Sequence, residues 1–139
     1  MRVSENLPLS GLKVVLIDDS NTIRRSGEIF LSQAGCKVIL AEDGFDGLSK
    51  VVDNQPDMIF IDVMMPKLDG YQTCALIKRH PQFKNIPVVM LTSKDTLFDY
   101  ARGKLVGADQ YLIKPFSKKS LIETVISHTQ QQQEQPYGY

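Results

Sequence analysis

The sequence has only two cysteines and two histidines, and no surplus of either charge. Cys36 and Cys74 stand far apart and form no C-x-x-C pair, so neither a disulfide framework nor a thiolate metal site is indicated. Both lie in apolar contexts and read as buried thiols. Sixteen basic residues balance sixteen acidic ones. That balance offers no basic surplus for nucleic acid and no like-charged interaction tail. No apolar run approaches the length of a membrane span. Residues 1–10 lack the apolar core of a signal peptide. The expectation is a cytoplasmic protein that neither binds nucleic acid nor inserts in a membrane.

What is present suits one globular domain: 139 residues, 42% hydrophobic and 23% charged. The order along the chain is strand then helix, five times over. Apolar runs at Lys13–Ile17, Lys37–Ala41, 58–61, 87–91 and 110–113 read as strands, most of them buried on both faces. Ser20 or Asn21 caps a first helix with Ile23, Gly27, Phe30, Leu31 and Ala34 on one face. Phe45, Leu48, Val51 and Val52 mark the inner stripe of a second. A third runs over 70–80, with Tyr71, Cys74, Ala75 and Ile77 inward. A fourth, over 96–106, has a poor stripe of Leu97, Phe98, Ala101 and Leu105, with Gly103 inside it. Interior glycine costs about 1 kcal/mol against alanine, so this helix is expected to be the least secure. Ser117 caps a fifth, with Leu121, Ile122, Val125 and Ile126.

This alternation implies an α/β fold: a doubly wound five-stranded parallel sheet with helices on both faces. The expected organisation is a flexible arm over 1–10, one domain over 11–129 and a disordered Gln-rich tail over 130–139, with no output domain after His128. His80 and His128 are expected to be solvated.

The chemistry gathers at the strand ends. The first strand ends in Asp18-Asp19, the third in Asp62, the fourth in Thr92-Ser93 and the fifth in Lys114. In open α/β sheets, ligands bind outside the carboxyl ends of the strands. Two carboxylates about 5 Å apart repel by roughly 3 kcal/mol at an effective dielectric of 20. Three such pairs cost on the order of 9 kcal/mol, against a typical domain stability of about 5–15 kcal/mol. Lys114 offsets part of this, and a divalent cation would offset more. Hard oxygen ligands without imidazole or thiolate point to Mg²⁺ rather than zinc. A carboxylate beside Mg²⁺ and a lysine is a suitable nucleophile towards phosphorus. The expectation is that Asp62 accepts a phosphoryl group, with Thr92 and Lys114 answering its charge. A lone Asp18-Asp19 pair would read only as a helix start, and a lone Thr92 as a turn hydroxyl.

The motifs Val15-Leu16-Ile17-Asp18-Asp19-Ser20, Asp62-Val63-Met64-Met65-Pro66 with Asp69-Gly70, Leu91-Thr92-Ser93 and Lys114-Pro115-Phe116 stand in this order over residues 12–128. That span resembles the receiver domain of two-component response regulators, the CheY-like family. The resemblance implies the strand order 2-1-3-4-5. It implies Asp62 as phosphoacceptor, Asp18 and Asp19 as the acidic pair that holds Mg²⁺, and the Met64 backbone carbonyl as a further ligand. It makes Thr92 the switch hydroxyl, Tyr111 the switch aromatic and Lys114 the pairing lysine, with a cis bond to Pro115. A histidine kinase is the implied phosphodonor. A downstream effector is expected on the face of the fourth helix, fifth strand and fifth helix.

Within the family, Gly70-Tyr71-Gln72-Thr73-Cys74-Ala75 and Gly107-Ala108-Asp109-Gln110-Tyr111-Leu112 are similar to single-domain regulators of twitching motility. Those work in a chemosensory-type pathway controlling type IV pili. The alternatives are a chemotaxis-type or other stand-alone receiver with a different target, or an aspartyl-phosphate phosphatase. The phosphatase expects a D-x-D pair, and Met64 stands two after Asp62. A flavodoxin-type carrier expects a Ser, Thr and Gly loop where Asp18-Asp19 stands. The expected protein is a phosphoaccepting switch and not an enzyme.

Overall fold

Five parallel strands make one sheet in the order β2-β1-β3-β4-β5. The computed structural model describes residues 9–93 and 98–138. Its elements are β1 (Lys13–Ile17), α1 (Asn21–Gln33), β2 (Lys37–Ala41), α2 (Gly44–Asn54), β3 (Met58–Asp62), α3 (Gly70–Arg79), β4 (Val88–Thr92), α4 (Phe98–Val106), β5 (Gln110–Ile113) and α5 (Lys118–Gly138). The expected fold class and strand order are those observed.

The period-2 geometry of a strand sends neighbouring side chains to opposite faces, so a sheet covered twice needs apolar residues at every position. Val15, Ile17, Ile59, Ile61, Val88 and Met90 face one way and pack with Val51 of α2 and Tyr71, Cys74 and Ile77 of α3. Val14, Leu16, Met58, Phe60, Val89 and Leu91 face the other way and pack with Leu31 of α1 and Leu121 and Val125 of α5. Each fully buried large side chain contributes about 1.5–3 kcal/mol against leaving it in water. β3 is buried along its whole length, which fixes the height at which Asp62 leaves the sheet.

Caps set where the helices begin. Ser20 accepts from the Ile23 N–H at the start of α1. Asp69 and Gln72 form a capping box at the start of α3. The Ser117 hydroxyl accepts from the Ser120 N–H at 3.0 Å ahead of α5.

Several expectations change. The inner face of α2 is Gly44, Gly47 and Val51. Phe45 and Val52 are 60% and 57% exposed. Gly47 lets α2 lie close to Ile17 of β1 and Gly44 lets it lie close to Thr73 of α3, while the bulky residues one step round the helix turn outward. In α4, Ala101 and Leu105 are exposed and Gly103 is buried. A Cβ on Gly103 would stand 2.2 Å from the Tyr111 hydroxyl oxygen, so the glycine gives Tyr111 its place. Leu97 of the expected stripe lies outside the described residues, as do residues 1–8 of the expected arm. Leu9, also assigned to that arm, is fully buried, and its N–H donates to the Ala34 carbonyl at 3.2 Å. α5 continues as helix to Gly138, through the stretch that composition reads as a disordered tail. Both cysteines are buried, and burial pushes the Cys36 thiol up to about 11 and the Cys74 thiol up to about 12. Both therefore stay protonated and unreactive near neutrality. His128 is half-buried and its Nε2 lies 2.6 Å from Gln110 Oε1, not free in solvent.

The turn after β3 depends on Gly70. A Cβ there would stand 2.2 Å from the Asp62 carbonyl oxygen and 2.8 Å from Val63 Cα. Both neighbours are backbone, which cannot swing aside. Gly70→Ala is expected to cost about 3 kcal/mol, at the upper end of ordinary overpacking. Chemical denaturation checks this, and an unchanged midpoint would contradict it.

Candidate functional site

The strand ends converge as the motif spacing implies. Asp18 follows β1, Asp62 ends β3, Thr92 ends β4 and Lys114 follows β5. Carboxylate oxygens of Asp18, Asp19 and Asp62 all lie within 4.8 Å of one another. Asp18 is fully buried and Asp62 is 2% exposed, while Asp19 opens to solvent. Lys114 Nζ bridges the two buried acids, 2.9 Å from Asp62 Oδ1 and 3.2 Å from Asp18 Oδ2.

Backbone contacts hold these groups in place. The Ser20 N–H donates to Asp18 Oδ1 at 2.9 Å. The Met64 N–H donates to Asp62 Oδ1 at 3.3 Å, while the Met64 side chain is exposed. The Lys114 N–H donates to the Thr92 carbonyl at 2.7 Å, which sets the lysine beside the end of β4. The Thr92 hydroxyl is buried and donates to the Ser93 carbonyl at 3.4 Å. The Lys114–Pro115 peptide is cis. Tyr111 lies farther back on β5, half-buried, with its hydroxyl 3.3 Å from that of Tyr71.

Two groups here gave no signal in the sequence. Arg24 donates to the Asp18 carbonyl at 2.6 Å. Arg102 stacks over the Tyr71 ring at 4.2 Å from its centroid. Neither contact follows a helical or strand period, so no pattern pointed to it.

The charges are unbalanced. Burial raises the Asp62 carboxyl to about 6; the hydrogen bond from Lys114 pulls against that, and the Asp18 charge adds to it. Burial also works against the Lys114 ammonium, but the hydrogen bond to Asp62 and the Asp18 charge outweigh it and its pKa rises. Three carboxylates gathered within 4.8 Å and met by one lysine make a place that a further cation would suit. The donors are carboxylates only, which suits a hard divalent ion such as Mg²⁺.

A pH dependence follows. An unfolded aspartate titrates near ~3.9. Asp62 in the folded chain titrates near 6, so between these values the folded state holds a proton that the unfolded state has lost. Without divalent cations, this contribution is full below about pH 4 and is lost as the pH rises through about 6. The loss is on the order of 3 kcal/mol. Denaturation of wild type and Asp62→Asn in chelator, at pH 4 and pH 7, isolates it. The difference between the two proteins should shift in favour of Asp62→Asn at the higher pH. A pH-independent difference would contradict the expectation.

Residues 14–126 match the family model described as response regulator receiver domain. The chain is 60% identical to Protein PilG of Pseudomonas aeruginosa over 118 residues, covering 85% of this chain and 87% of that protein. It is 39% identical to the alkaline phosphatase synthesis transcriptional regulatory protein PhoP of Bacillus subtilis, over 78% of this chain but only 45% of that longer regulator. Among solved structures, the chemotaxis response regulator CheY4 of Vibrio cholerae superposes with a TM-score of 0.81 at 34% identity, covering 86% of this chain and 99% of that one.

Proposed function

The chain belongs to the response regulator receiver domain family, and we propose that it is a stand-alone phosphorylation switch charged on Asp62 by a histidine kinase. Proteins of this family accept and lose their own phosphoryl group and do not turn over an external substrate. The observation that carries the reading is Lys114 Nζ bridging Asp18 and Asp62 inside the acidic cluster. An Asp62 carboxylate oxygen forms the bond to phosphorus as the bond to the donor's histidine nitrogen breaks. Asp18, Asp19 and Asp62 would hold Mg²⁺, with the Met64 carbonyl as a further ligand. When bound, the ion supplies charge stabilisation for the phosphoryl oxygens. Lys114, already at hydrogen-bond distance from Asp62, is placed to pair with one of those oxygens.

Phosphorylation replaces one negative charge by about two and adds three acceptor oxygens, by analogy with other phosphorylated side chains. The Thr92 hydroxyl turns towards them. Tyr111 packs on Gly103 of α4 and touches Tyr71 of α3, and it lies two residues before Ile113, the β5 partner of Thr92, so a rearrangement at the end of β4 has a route along β5 to α4. A differential of a few kcal/mol is enough to invert the populations. The effector reads the face of α4, β5 and α5. The identity to PilG supports a place in a chemosensory-type pathway controlling type IV pilus twitching motility. No helix among the described residues is long and apolar enough to cross a membrane.

Amide hydrogen exchange with and without beryllofluoride, a phosphoryl mimic, tests the switch. With Mg²⁺ present, exchange in α4, β5 and α5 should change in wild type and stay constant in Asp62→Asn. An unchanged wild-type pattern would reject the output surface.

A further inference from the structure

Arg24 lies in the first turns of α1, six residues after Asp18, and its side chain turns back over the end of β1. One guanidinium nitrogen donates to the Asp18 carbonyl at 2.6 Å, and the other bonds the Asn21 side-chain oxygen. Its backbone N–H donates to the Ser20 carbonyl at 3.0 Å. Asp18 is held by its other polar groups as well. Its N–H donates to Ala41, its Oδ1 accepts from Ser20, and its Oδ2 meets Lys114. The carbonyl is the part that leads into Asp19.

A peptide unit is planar. Fixing the Asp18 carbonyl therefore fixes the plane of the next N–H and the position of the Asp19 Cα. Asp19 is exposed, so little of its side chain is enclosed by packing, and the direction of the backbone before it counts for more. The guanidinium fork reaches the Asp18 carbonyl and the Asn21 side-chain oxygen with two separate nitrogens in one fixed plane.

We infer that Arg24 is a positioning residue for the divalent-cation site, fixing the Asp18–Asp19 peptide so that the Asp19 carboxylate is presented to the ion. This rests on reading Asp18, Asp19 and Asp62 as that site. The charge of Arg24 and its geometry act in opposite directions. As a positive charge near an acidic cluster, Arg24 opposes cation binding. As a clamp on the peptide, it favours binding. Substitution separates the two.

The test is calorimetric titration of the full chain with MgCl₂, for wild type, Arg24→Ala, Arg24→Lys and Asn21→Ala, with no phosphodonor. Circular dichroism and a melting curve in chelator verify the fold. Partners that orient metal ligands typically change affinity about 10–100-fold. Arg24→Lys, which keeps the charge, should weaken Mg²⁺ binding by about tenfold. Arg24→Ala, which also removes the opposing charge, should weaken it by a smaller factor. Asn21→Ala, which keeps the charge but removes the second anchor, should weaken it by a smaller factor. Tighter binding in Arg24→Ala, or unchanged binding in Arg24→Lys, overturns the inference. If Arg24→Ala does not fold, Arg24→Lys and Asn21→Ala decide the matter. A wild type that takes up no Mg²⁺ removes the cation site itself. A wild type that binds while both charge-preserving variants match it removes only the role of Arg24.

Discussion

Lys114→Ala is expected to lose about 3–5 kcal/mol of stability near neutral pH without divalent cations, the cost of stripping one partner from a buried ion pair. Lys114 Nζ lies within 3.2 Å of both buried acids. Removing it leaves Asp18 and Asp62 facing each other with their repulsion unrelieved. Protonation of Asp62 gives partial relief, so the deficit should shrink in acid. Mg²⁺ should stabilise the variant more than wild type, since it then supplies the cluster's missing positive charge. Phosphoryl uptake should fall by about 10²-fold or more, the typical effect of removing one preorganised donor to a developing charge. Equal stability in denaturant, or an equal rate of uptake, would contradict the role given to this lysine.

Asp62→Asn is expected to abolish phosphoryl uptake. Asparagine keeps the volume and the acceptor for Lys114 but has no anionic oxygen to attack phosphorus. Asp18 is not placed to substitute. Its oxygens are engaged by Ser20 and Lys114, and it is fully buried. Asp19 is open to solvent but is not the acid that Lys114 grips. The loss should therefore be complete, with the fold retained and, above pH 6, strengthened.

The parts of this molecule that were legible from sequence are those where burial is complete. Met58 to Ile61 is an unbroken apolar run because two layers of helix cover β3, and Asp62 stands out against it. Asp18, just past β1, and Thr92, at the end of β4, stand out for the same reason, whereas Lys114 follows β5, which is apolar but only half-buried. The inner faces of α2 and α4 do not show in the hydrophobic pattern because Gly44, Gly47 and Gly103 do the packing there. A glycine carries no hydrophobic signal, so the pattern pointed to Phe45 and Leu105 instead. The clamp of Arg24 on the Asp18 carbonyl and the meeting of Tyr71 with Tyr111 join separate elements through polar atoms. Such contacts obey no period. Leu9 carries no readable pattern because Pro8, Ser10 and Gly11 break up the apolar residues around it, Leu7 and Leu12.

The central claim is that the three acids gather a magnesium ion so that Asp62 can carry a phosphoryl group. Intact mass after incubation with a small phosphodonor, with Mg²⁺ or with chelator, tests it for wild type and Asp62→Asn. One added phosphoryl group on wild type in Mg²⁺ alone, and none on the variant, is the predicted result. No added mass on wild type in Mg²⁺, or the same added mass on Asp62→Asn, would contradict it.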